Sequence, residues 1–246
     1  MAITIPVPRS WDLPPVALRR AVESLRAGRP VLVYDDPGRE GETDMVLLAE
    51  RATPETLRQL RQEAGGLLCV AVPEEFRRRV GLPFADELLR HGSQTWPVLS
   101  RIVPDSFRYD RRSSFGITVN HRSTFTGIPD RDRALTARAL GEVVRDAPGL
   151  RTPELQSRFT REFLSPGHVP LLYAASGLLR ERRGHTELTV ALAEMGGVTP
   201  ALIVCEMLGD DGGALPRDRA REKAGENGWE FLDGSTIVEA WSAWSG

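Results

Sequence analysis

The stretch that decides the fold reads VLVYDDPGREGETDMVLLA and spans residues 31–49. Two apolar runs, Val31 to Val33 and Met45 to Ala49, enclose a polar segment with five carboxylates, one guanidinium, two glycines and a proline. Short apolar runs bounded by turn residues are typical of buried strands. The stretch therefore predicts a strand that leads into an acidic loop, and a second apolar segment that leaves it.

The acidic loop predicts a cation site. Its carboxylates belong to Asp35, Asp36, Glu40, Glu42 and Asp44. Carboxylates so close in sequence repel one another unless a positive charge lies among them, and Mg²⁺ and Mn²⁺ prefer such oxygen ligands. Arg39 adds a forked donor suited to phosphate or carboxylate. A solvated acidic loop is the alternative, but the end of a strand is a common place for ligands.

Length and charge limit the class of protein. The chain has 246 residues, enough for one α/β domain over 1–246, and 32 basic residues against 34 acidic ones give no field that favours nucleic acid or an anionic membrane. Residues 1–10 lack a signal-peptide pattern, and no run reaches the roughly 20 apolar residues of a membrane span. We therefore expect a single-domain cytoplasmic protein with no nucleic-acid or membrane partner.

Two residue types narrow the chemistry further. Cys69 and Cys205 lie in apolar runs, which predicts buried, reduced thiols rather than a disulfide or a zinc site. Lys223 is the only lysine and lies in a polar run that reads as an exposed helix. Schiff-base catalysis and a phosphate-binding P-loop both need a lysine, so neither is expected.

Apolar periodicity predicts an α/β (α+β) protein with a mixed β-sheet and helices packed on its faces. Helices are expected over 16–27, 54–64, 130–144 and 188–195, with further ones in the tail, and strands over 31–35, 67–72, 115–120, 201–208 and 229–232. Residues 145–157 read as a surface connection, and 165–168 as a turn before an apolar run. Residues 73–112 show only short helical patterns near 76–80 and 84–89.

Three further groups of residues suggest chemistry. His168 follows Pro-Gly, and His185 precedes a predicted helix, so each lies where a glycine lets a ligand approach the backbone. Arg182 and Arg183 precede Gly184, His185 and Thr186 at that helix start, which suits a phosphate monoester. An exposed histidine and a solvated basic turn are the alternatives.

Glu206 is flanked by the apolar runs 203–205 and 207–208. A glutamate in such surroundings is expected to pair, to bind metal or to have a raised pKa, which makes it a candidate general base; a structural ion pair is the alternative. Together with the acidic loop, these residues suit proton abstraction next to the carbonyl of a sugar phosphate, assisted by a divalent cation.

The same residues resemble a known family. Asp35-Asp36, Arg39 to Asp44, Ser165 to His168, Gly184 to Glu187 and Cys205-Glu206-Met207 closely resemble 3,4-dihydroxy-2-butanone-4-phosphate synthase of riboflavin biosynthesis, especially its archaeal single-domain form. The motifs run in the family's order over nearly the whole chain. The resemblance implies conversion of D-ribulose 5-phosphate to 3,4-dihydroxy-2-butanone 4-phosphate and formate by a lyase that enolises, rearranges and cleaves its substrate.

The resemblance also implies cofactors, partners and roles. It implies Mg²⁺ or Mn²⁺, two ions per active site, and a homodimer with active sites at its interface. Glu40 and His185 would hold the metal, and His168 and Glu206 would move protons. Asp35 and Glu42 are also assigned to the catalytic set, and they would line the sugar together with Arg39 and Asp44. The remaining assignments are phosphate contacts for Arg182, Arg183, Gly184, Thr186 and Thr126, and a place near the substrate for Cys69.

The sequence departs from the family pattern at one position, and two alternative functions remain open. Pro129 stands where the family usually has Ser or Thr, so one hydroxyl contact to phosphate is expected to be lost. The chain ends too early for the second, cyclohydrolase-like domain that the family often carries, so one activity is expected. The rivals are another metal-dependent sugar-phosphate enzyme, such as an aldolase or isomerase, and a catalytically silent homologue that binds a phosphorylated ligand or a partner.

Overall fold

The structure is a computed structural model that describes residues 15–105, 110 and 112–245; the predictions for residues 1–10 lie outside them. A mixed seven-stranded sheet has the order β4-β5-β3-β6-β2-β1-β7. The strands are β1 Val31–Tyr34, β2 Thr43–Leu48, β3 Cys69–Val72, β4 Phe115–His121, β5 Phe163–Tyr173, β6 Leu202–Glu206 and β7 Glu230–Asp233. The predicted mixed sheet is confirmed.

The helices of the described residues pack on both faces of this sheet. They are α1 Val16–Arg26, α2 Pro54–Glu63, α3 Glu74–Val80, α4 Ala85–Gly92, α5 Leu99–Ile102, α6 Asp130–Asp146, α7 Thr152–Glu162, α8 His185–Met195, α9 Arg217–Asn227 and α10 Gly234–Trp244. The predicted start of α2 is confirmed, because the Thr53 hydroxyl accepts a hydrogen bond from the Thr56 N–H and Pro54 occupies the first turn.

The acidic loop joins β1 to β2 in an antiparallel pair, with Tyr34 opposite Thr43. Strand β2 is also antiparallel to β6, which places Asp44 directly opposite Glu206. Strand β6 in turn pairs with β3, where Cys69 lies opposite Val204. Residues distant in sequence thus meet at neighbouring positions of three central strands.

Alternation along the strands divides the core into two layers. Met45, Val70 and Cys205 point to the layer covered by α2, α3, α6, α7 and α9. Val46, Cys69 and Val204 point to the layer covered by α1, α8 and α10. Burying an aliphatic side chain stabilises the fold by about 1.5–3 kcal/mol, so these two layers hold the central strands firmly in register.

Two predictions of local structure are wrong. Residues 145–157 include the start of α7, whose pattern is weak because Leu155 and Phe159 are its only buried residues. The segment 165–168 is a bulge inside β5 rather than a turn before it. The pairing changes from Val119 opposite Val169 to Asn120 opposite Leu164, and the four residues between Leu164 and Val169 are left over.

Residues 73–112 contain α3 and α4 near the predicted short helices, and also the short α5. Neither α4 nor α5 contains a buried residue, so both helices lie at the surface of the fold. Among the helices of the described residues, none has the length and apolar character needed to cross a bilayer.

Candidate active site

A cavity of about 170 Å³ lies beyond the N-terminus of α8, on the sheet face that this helix covers. Asp44, Glu206 and Cys69 reach it from three adjacent strands, because alternation turns all three toward that face. His185 and Thr186 reach it from the first turn of α8. Its lining also includes Glu40, Asp110, Arg112, Ser113, Ser114, Phe115, Leu172, Arg182 and Val204.

The acidic loop is folded around one of its own carboxylates. Asp35 is buried, and its two oxygens accept hydrogen bonds from the backbone N–H groups of Glu40 (3.1 Å) and Glu42 (3.0 Å). Gly41 adopts a φ of +68°, a conformation that favours glycine. Arg39 Nε lies 3.9 Å from Asp35 Oδ2. This arrangement directs the Glu40 side chain toward α8.

Glu40, Asp35 and His185 form a candidate metal centre. Each offers one ligand atom, and these atoms lie within 4.8 Å of one another. His185 Nδ1 is 3.4 Å from Glu40 Oε2, and His185 Nε2 is 3.2 Å from the carbonyl oxygen of Glu42. Glu40 and His185 are the predicted metal pair, and the structure brings them together with Asp35 as a third donor.

The charged groups around His185 shift one another's pKa values. Burial lowers the pKa of His185, but the carboxylates of Asp44, Glu40 and Asp35 outweigh it and raise that pKa to about 9. Burial raises the pKa of Asp44 to about 7, although His185 opposes the shift. Burial also raises the pKa of Glu42, with Glu40 and Glu206 acting in the same direction. An additional positive charge would relieve this crowding.

Asp44 supports the fit of a divalent cation here. Its Oδ1 atom is buried without a hydrogen-bond partner among the described residues, and lies 3.7 Å from His185 Nε2. A buried carboxylate oxygen without a partner is costly unless it meets a ligand or a cation. Two carboxylates and an imidazole beside such an oxygen are a suitable donor set for Mg²⁺ or Mn²⁺.

Arginines also line the cavity, at Arg112 and Arg182. Arg182 is held by Glu187, whose Oε2 accepts a 2.6 Å hydrogen bond from its Nη1, and by Asp110, whose Oδ2 accepts a 2.8 Å bond from its Nε. A Cβ atom at Gly184 would lie only 2.3 Å from Arg182 Nη1, so this guanidinium position requires glycine at 184. Thr186 is buried beside it.

Asp110 also joins Arg182 to the acidic loop. Its two carboxylate oxygens accept hydrogen bonds from Arg39 at 3.1 and 3.0 Å, in a bidentate pair. Asp110 therefore bridges Arg39 and Arg182. The prediction missed both Asp110 and Glu187 as functional residues; Glu187 was visible only as part of the Gly-His-Thr-Glu motif, and Asp110 lies in a stretch without periodicity.

Glu206 differs from its predicted environment. Its neighbours Cys205 and Met207 are buried, but they face the opposite layer of the core, so the glutamate is half-buried in the cavity wall. Its Oε2 accepts a 2.7 Å hydrogen bond from the Leu67 N–H. A Cβ atom at Gly66 would lie 2.4 Å from the same oxygen, so the chain here packs tightly against the carboxylate.

The two cysteines are free and buried, as predicted. Cys69 lies in the cavity wall, near Glu206 and Asp44. Burial, with a smaller contribution from the Glu206 carboxylate, raises the pKa of the Cys69 thiol, so the side chain stays protonated and acts as a small apolar surface.

Three predicted site residues lie elsewhere. His168 is exposed on the bulge of β5, four residues from Leu172 of the cavity wall, or about 13 Å along a strand. Thr126 is exposed on the loop before α6. Arg183 lines a different cavity with Asp35, Asp36 and Glu239. The adjacent Arg182 points toward Glu187 instead, which explains why only one of the two arginines reaches the predicted site.

A cavity that contains carboxylates, an imidazole and guanidinium groups indicates an enzyme class that acts on anionic substrates with a divalent cation. The profile of the family described as 3,4-dihydroxy-2-butanone 4-phosphate synthase matches residues 19–240, and the chain belongs to this family. The predicted family, fold class and enzyme, and with them the predicted step of riboflavin biosynthesis, are confirmed.

Individual relatives agree. The chain is 47% identical over 232 residues to the 3,4-dihydroxy-2-butanone 4-phosphate synthase of Methanosarcina mazei, covering 93% of this chain and 92% of the relative. It is 49% identical over 222 residues to that of Archaeoglobus fulgidus, covering 88% and 92%. The archaeal single-domain resemblance is thus confirmed.

Solved structures show the same fold. A crystal structure of a 3,4-dihydroxy-2-butanone 4-phosphate synthase in complex with two magnesium ions has a TM-score of 0.70 and 26% identity, covering 92% of this chain and 97% of that one. The Candida albicans enzyme has a TM-score of 0.67 and 30% identity, covering 90% and 95%.

Proposed function

We propose that the cavity beyond α8 converts D-ribulose 5-phosphate to 3,4-dihydroxy-2-butanone 4-phosphate and formate, with residues 1–246 acting as one catalytic domain in the cytoplasm. The carrying observation is that a candidate metal centre of Glu40, Asp35 and His185 lies close to the guanidinium of Arg182, with Glu40, His185 and Arg182 all lining the cavity. A sugar phosphate offers matching groups, with oxygens for a cation along the sugar and a dianion at its end. Substrate and products balance without a co-reactant, since C5H11O8P equals C4H9O6P plus CH2O2.

The anionic end of the substrate suits Arg182 and Thr186. Thr186 lies in the first turn of α8, where free backbone N–H groups and the helix dipole favour a phosphate, and Arg182 lies three residues before that helix. Arg39 would contribute once the phosphate or a sugar hydroxyl replaces Asp110. The fixed positions of Glu187 and Gly184 keep the Arg182 guanidinium aimed into the cavity, so little side-chain entropy is lost on binding.

Glu206 is the proposed base. Its carboxylate lies in the cavity wall, and one oxygen is fixed by the Leu67 N–H, which leaves the other to accept a proton from the substrate. Glu206 lies close enough to Asp44 and Glu42 that its carboxylate adds to the effect of burial in raising the pKa of both groups. Cys69 packs beneath the same region and supplies shape rather than reactivity.

Glu40 and His185, with Asp35 beside them, would hold a divalent cation, Mg²⁺ or Mn²⁺. When bound, such a cation polarises substrate oxygens and lowers the cost of the charge that develops during enolisation. The crystal structure of a relative with two magnesium ions supports two cations per site. Asp44 Oδ1, which has no hydrogen-bond partner among the described residues and lies 3.7 Å from His185 Nε2, supports the same number because it offers a further carboxylate ligand.

A homodimer would complete the site. His168 and Thr126 are exposed and lie outside the cavity wall, yet both belong to motifs shared with the family. Large apolar side chains on the same loop and strand are exposed: Phe125 at 90%, Ile128 at 52% and Leu164 at 45%. An exposed apolar surface of this kind favours a protein interface. A second copy docked here would bring His168 and Thr126 to its partner's cavity.

The test follows uniformly ¹³C-labelled D-ribulose 5-phosphate by NMR with the purified protein and Mg²⁺, and repeats the measurement with EDTA. Labelled formate that appears only with metal is the expected result. Labelled products without formate would favour an aldolase or isomerase, and an unchanged spectrum with both Mg²⁺ and Mn²⁺ would favour a silent homologue. Either result would overturn the proposal.

A further inference from the structure

The bulge of β5 is pressed against β4 by contacts that involve its backbone. The Gly167 N–H donates a 3.1 Å hydrogen bond to Thr118 Oγ1. A Cβ atom at Gly167 would lie only 2.0 Å from the carbonyl carbon of Val119, so the two chains touch at this point. The close approach sets the position of the next residue, His168, relative to the side chain of Asn120.

Both polar atoms of the Asn120 amide, Oδ1 and Nδ2, contact His168. The backbone N–H of His168 donates a 2.8 Å hydrogen bond to Asn120 Oδ1. A backbone N–H can only donate, so the amide atom that faces it must be the oxygen. This contact fixes the orientation of the amide, and it places Asn120 Nδ2 at 3.1 Å from the His168 Nδ1 atom.

The orientation of the amide determines which ring nitrogen carries the proton. Asn120 Nδ2 is a donor, so His168 Nδ1 must accept, and the proton of the neutral ring then lies on Nε2. With a proton on Nδ1, two donors would face each other at 3.1 Å. The alternative acceptor, Asn120 Oδ1, is farther from Nδ1 at 3.3 Å and already accepts the His168 backbone N–H, and a proton on Nδ1 directed to it would still face the closer Nδ2 donor.

The amide of Asn120 is itself enclosed. A Cβ atom at Gly127 would lie 2.2 Å from Asn120 Nδ2, and Gly127 has a φ of +92°, so glycine is required there and its backbone lies on the amide. The Gly127 N–H donates a 2.9 Å hydrogen bond to Asp132 Oδ2, which also accepts from Phe125 and Thr126. Rotating the amide would therefore displace the loop that carries Thr126.

We infer that Asn120 is a positioning residue that holds neutral His168 as its Nε2–H tautomer, so that the exposed edge of the imidazole presents a proton donor. This inference rests on the proposed function for its catalytic consequence. With Glu206 as the base, His168 is then a hydrogen-bond donor: its Nε2–H stabilises the negative charge that develops on a substrate oxygen when Glu206 takes a proton, and its own proton stays on Nε2. Without Asn120, the ring samples both tautomers and orientations.

The first test reads the tautomer directly. Two-bond ¹H–¹⁵N correlation spectra of the full chain with ¹⁵N-labelled histidine contain four imidazoles, and a His168→Gln variant assigns the signals. At a pH where the ¹⁵N shifts show a neutral ring, wild-type His168 is expected to give the Nε2–H pattern. Asn120→Asp is expected to switch the ring to Nδ1–H, because a carboxylate only accepts. Asn227→Asp, at the end of α9, is the matched control.

A mixed or Nδ1–H pattern in the wild type, or an unchanged pattern in Asn120→Asp, would overturn the inference. If Asn120→Asp does not fold, as judged by circular dichroism, Asn120→Ala replaces it and is expected to show both tautomers. The spectra need no substrate, so they remain decisive even if no formate is formed and the proposed function fails.

The second test reads catalysis. Asn120→Asp is expected to lower kcat about tenfold or more while KM changes less than about twofold, because His168 then offers a lone pair where a proton is needed. Asn227→Asp is expected to match the wild type. A tautomer switch with unchanged kcat would contradict the positioning role. A tenfold rise in KM with unchanged kcat would also contradict it and would indicate a role in substrate binding.

Discussion

The cavity beyond α8 and the bulge of β5 carry the two halves of the proposed active site in different ways. Asp44, Glu206 and Cys69 stand on central strands that are packed on both faces. His168 and Thr126 stand on an exposed surface, held by side chains such as Asn120 and Asp132. The first half is rigid because of the core, and the second is fixed by local hydrogen bonds and, in our proposal, by a second subunit.

This difference separates two kinds of mutational effect. Changes in the cavity should act within each chain and persist in any assembly. Changes on the bulge should act across the interface and depend on the partner.

Glu206→Gln is expected to lower kcat by about 10²–10⁴-fold with little change in KM, because the amide keeps the shape and the acceptor for the Leu67 N–H but does not take a proton at neutral pH. Steady-state kinetics of formate release measures this. Glu239→Gln, outside the cavity wall, is the control. Near-normal turnover would remove Glu206 from its role as base.

Mixed dimers test the shared site. His168→Ala and Glu206→Gln are each expected to be nearly inactive, but subunit exchange at equal amounts should restore about one quarter of wild-type activity. Half of the dimers are then mixed, and one of their two sites receives both intact residues. Two different affinity tags isolate the mixed species. Activity no higher than that of the separate variants would place both residues in one chain's site.

Metal affinity should depend on pH. The pKa of His185 is raised to about 9, so at lower pH a proton occupies a proposed ligand nitrogen and must leave before the cation binds. The apparent affinity is expected to rise up to about tenfold per pH unit from about pH 7 to 9 and then to level off. Asp44, with its pKa raised to about 7, acts in the same direction.

Isothermal titration with Mg²⁺ at several pH values measures this dependence without turnover. Asp36→Asn, an exposed change on the same loop, should keep the slope. An affinity that is constant over this range would contradict the assignment of His185 as ligand. On the bulge of β5, changes such as Asn120→Asp should leave the metal affinity unchanged, which keeps the two regions distinct.

Asp110→Asn should lower KM several-fold, about 3- to 10-fold, with kcat nearly unchanged. Asp110 bonds to both Arg39 and Arg182, so the substrate must replace a carboxylate to reach these guanidinium groups. Competition by inorganic phosphate should strengthen in parallel. Asp105→Asn, exposed on the same segment, is the control. A higher KM would mean that Asp110 helps the substrate rather than competing with it.

The smallest effect is expected for Arg183→Gln. This side chain lines a different cavity, so kcat and KM should stay within about twofold of the wild type. Arg182→Gln, its neighbour, should raise KM by about tenfold or more through the loss of a charged phosphate contact. Equal effects of the two changes would contradict the placement of Arg183 outside the site.

The sequence was most informative where pattern and chemistry coincide. Periodicity and end signals predicted α1, α2 and β1, and the motif around Glu40 and His185 predicted residues that the structure brings together. The burial of Glu206 was misjudged, because its apolar neighbours face the other layer of the core. Alternation along a strand would have revealed this, had the direction of β6 in the sheet been known.

Other features of the site leave no pattern in the neighbouring sequence. The bulge of β5 depends on pairing with β4, and the contact of Asn120 with His168 joins residues 48 positions apart. Asp110 lies in a segment without periodicity, and its role follows only from the positions of Arg39 and Arg182. Such relations arise from tertiary contacts, which a single sequence does not display.

The position of Glu206 has a consequence for how the gene tolerates change. This carboxylate is carried by a strand whose neighbouring side chains, Cys205 and Met207, are anchored in the core on the far side of the sheet. Their packing sets the height and tilt of the glutamate. Selection for activity should therefore constrain this distant core as strictly as the cavity. Substitutions that change the volume of the core should impair catalysis before they impair folding.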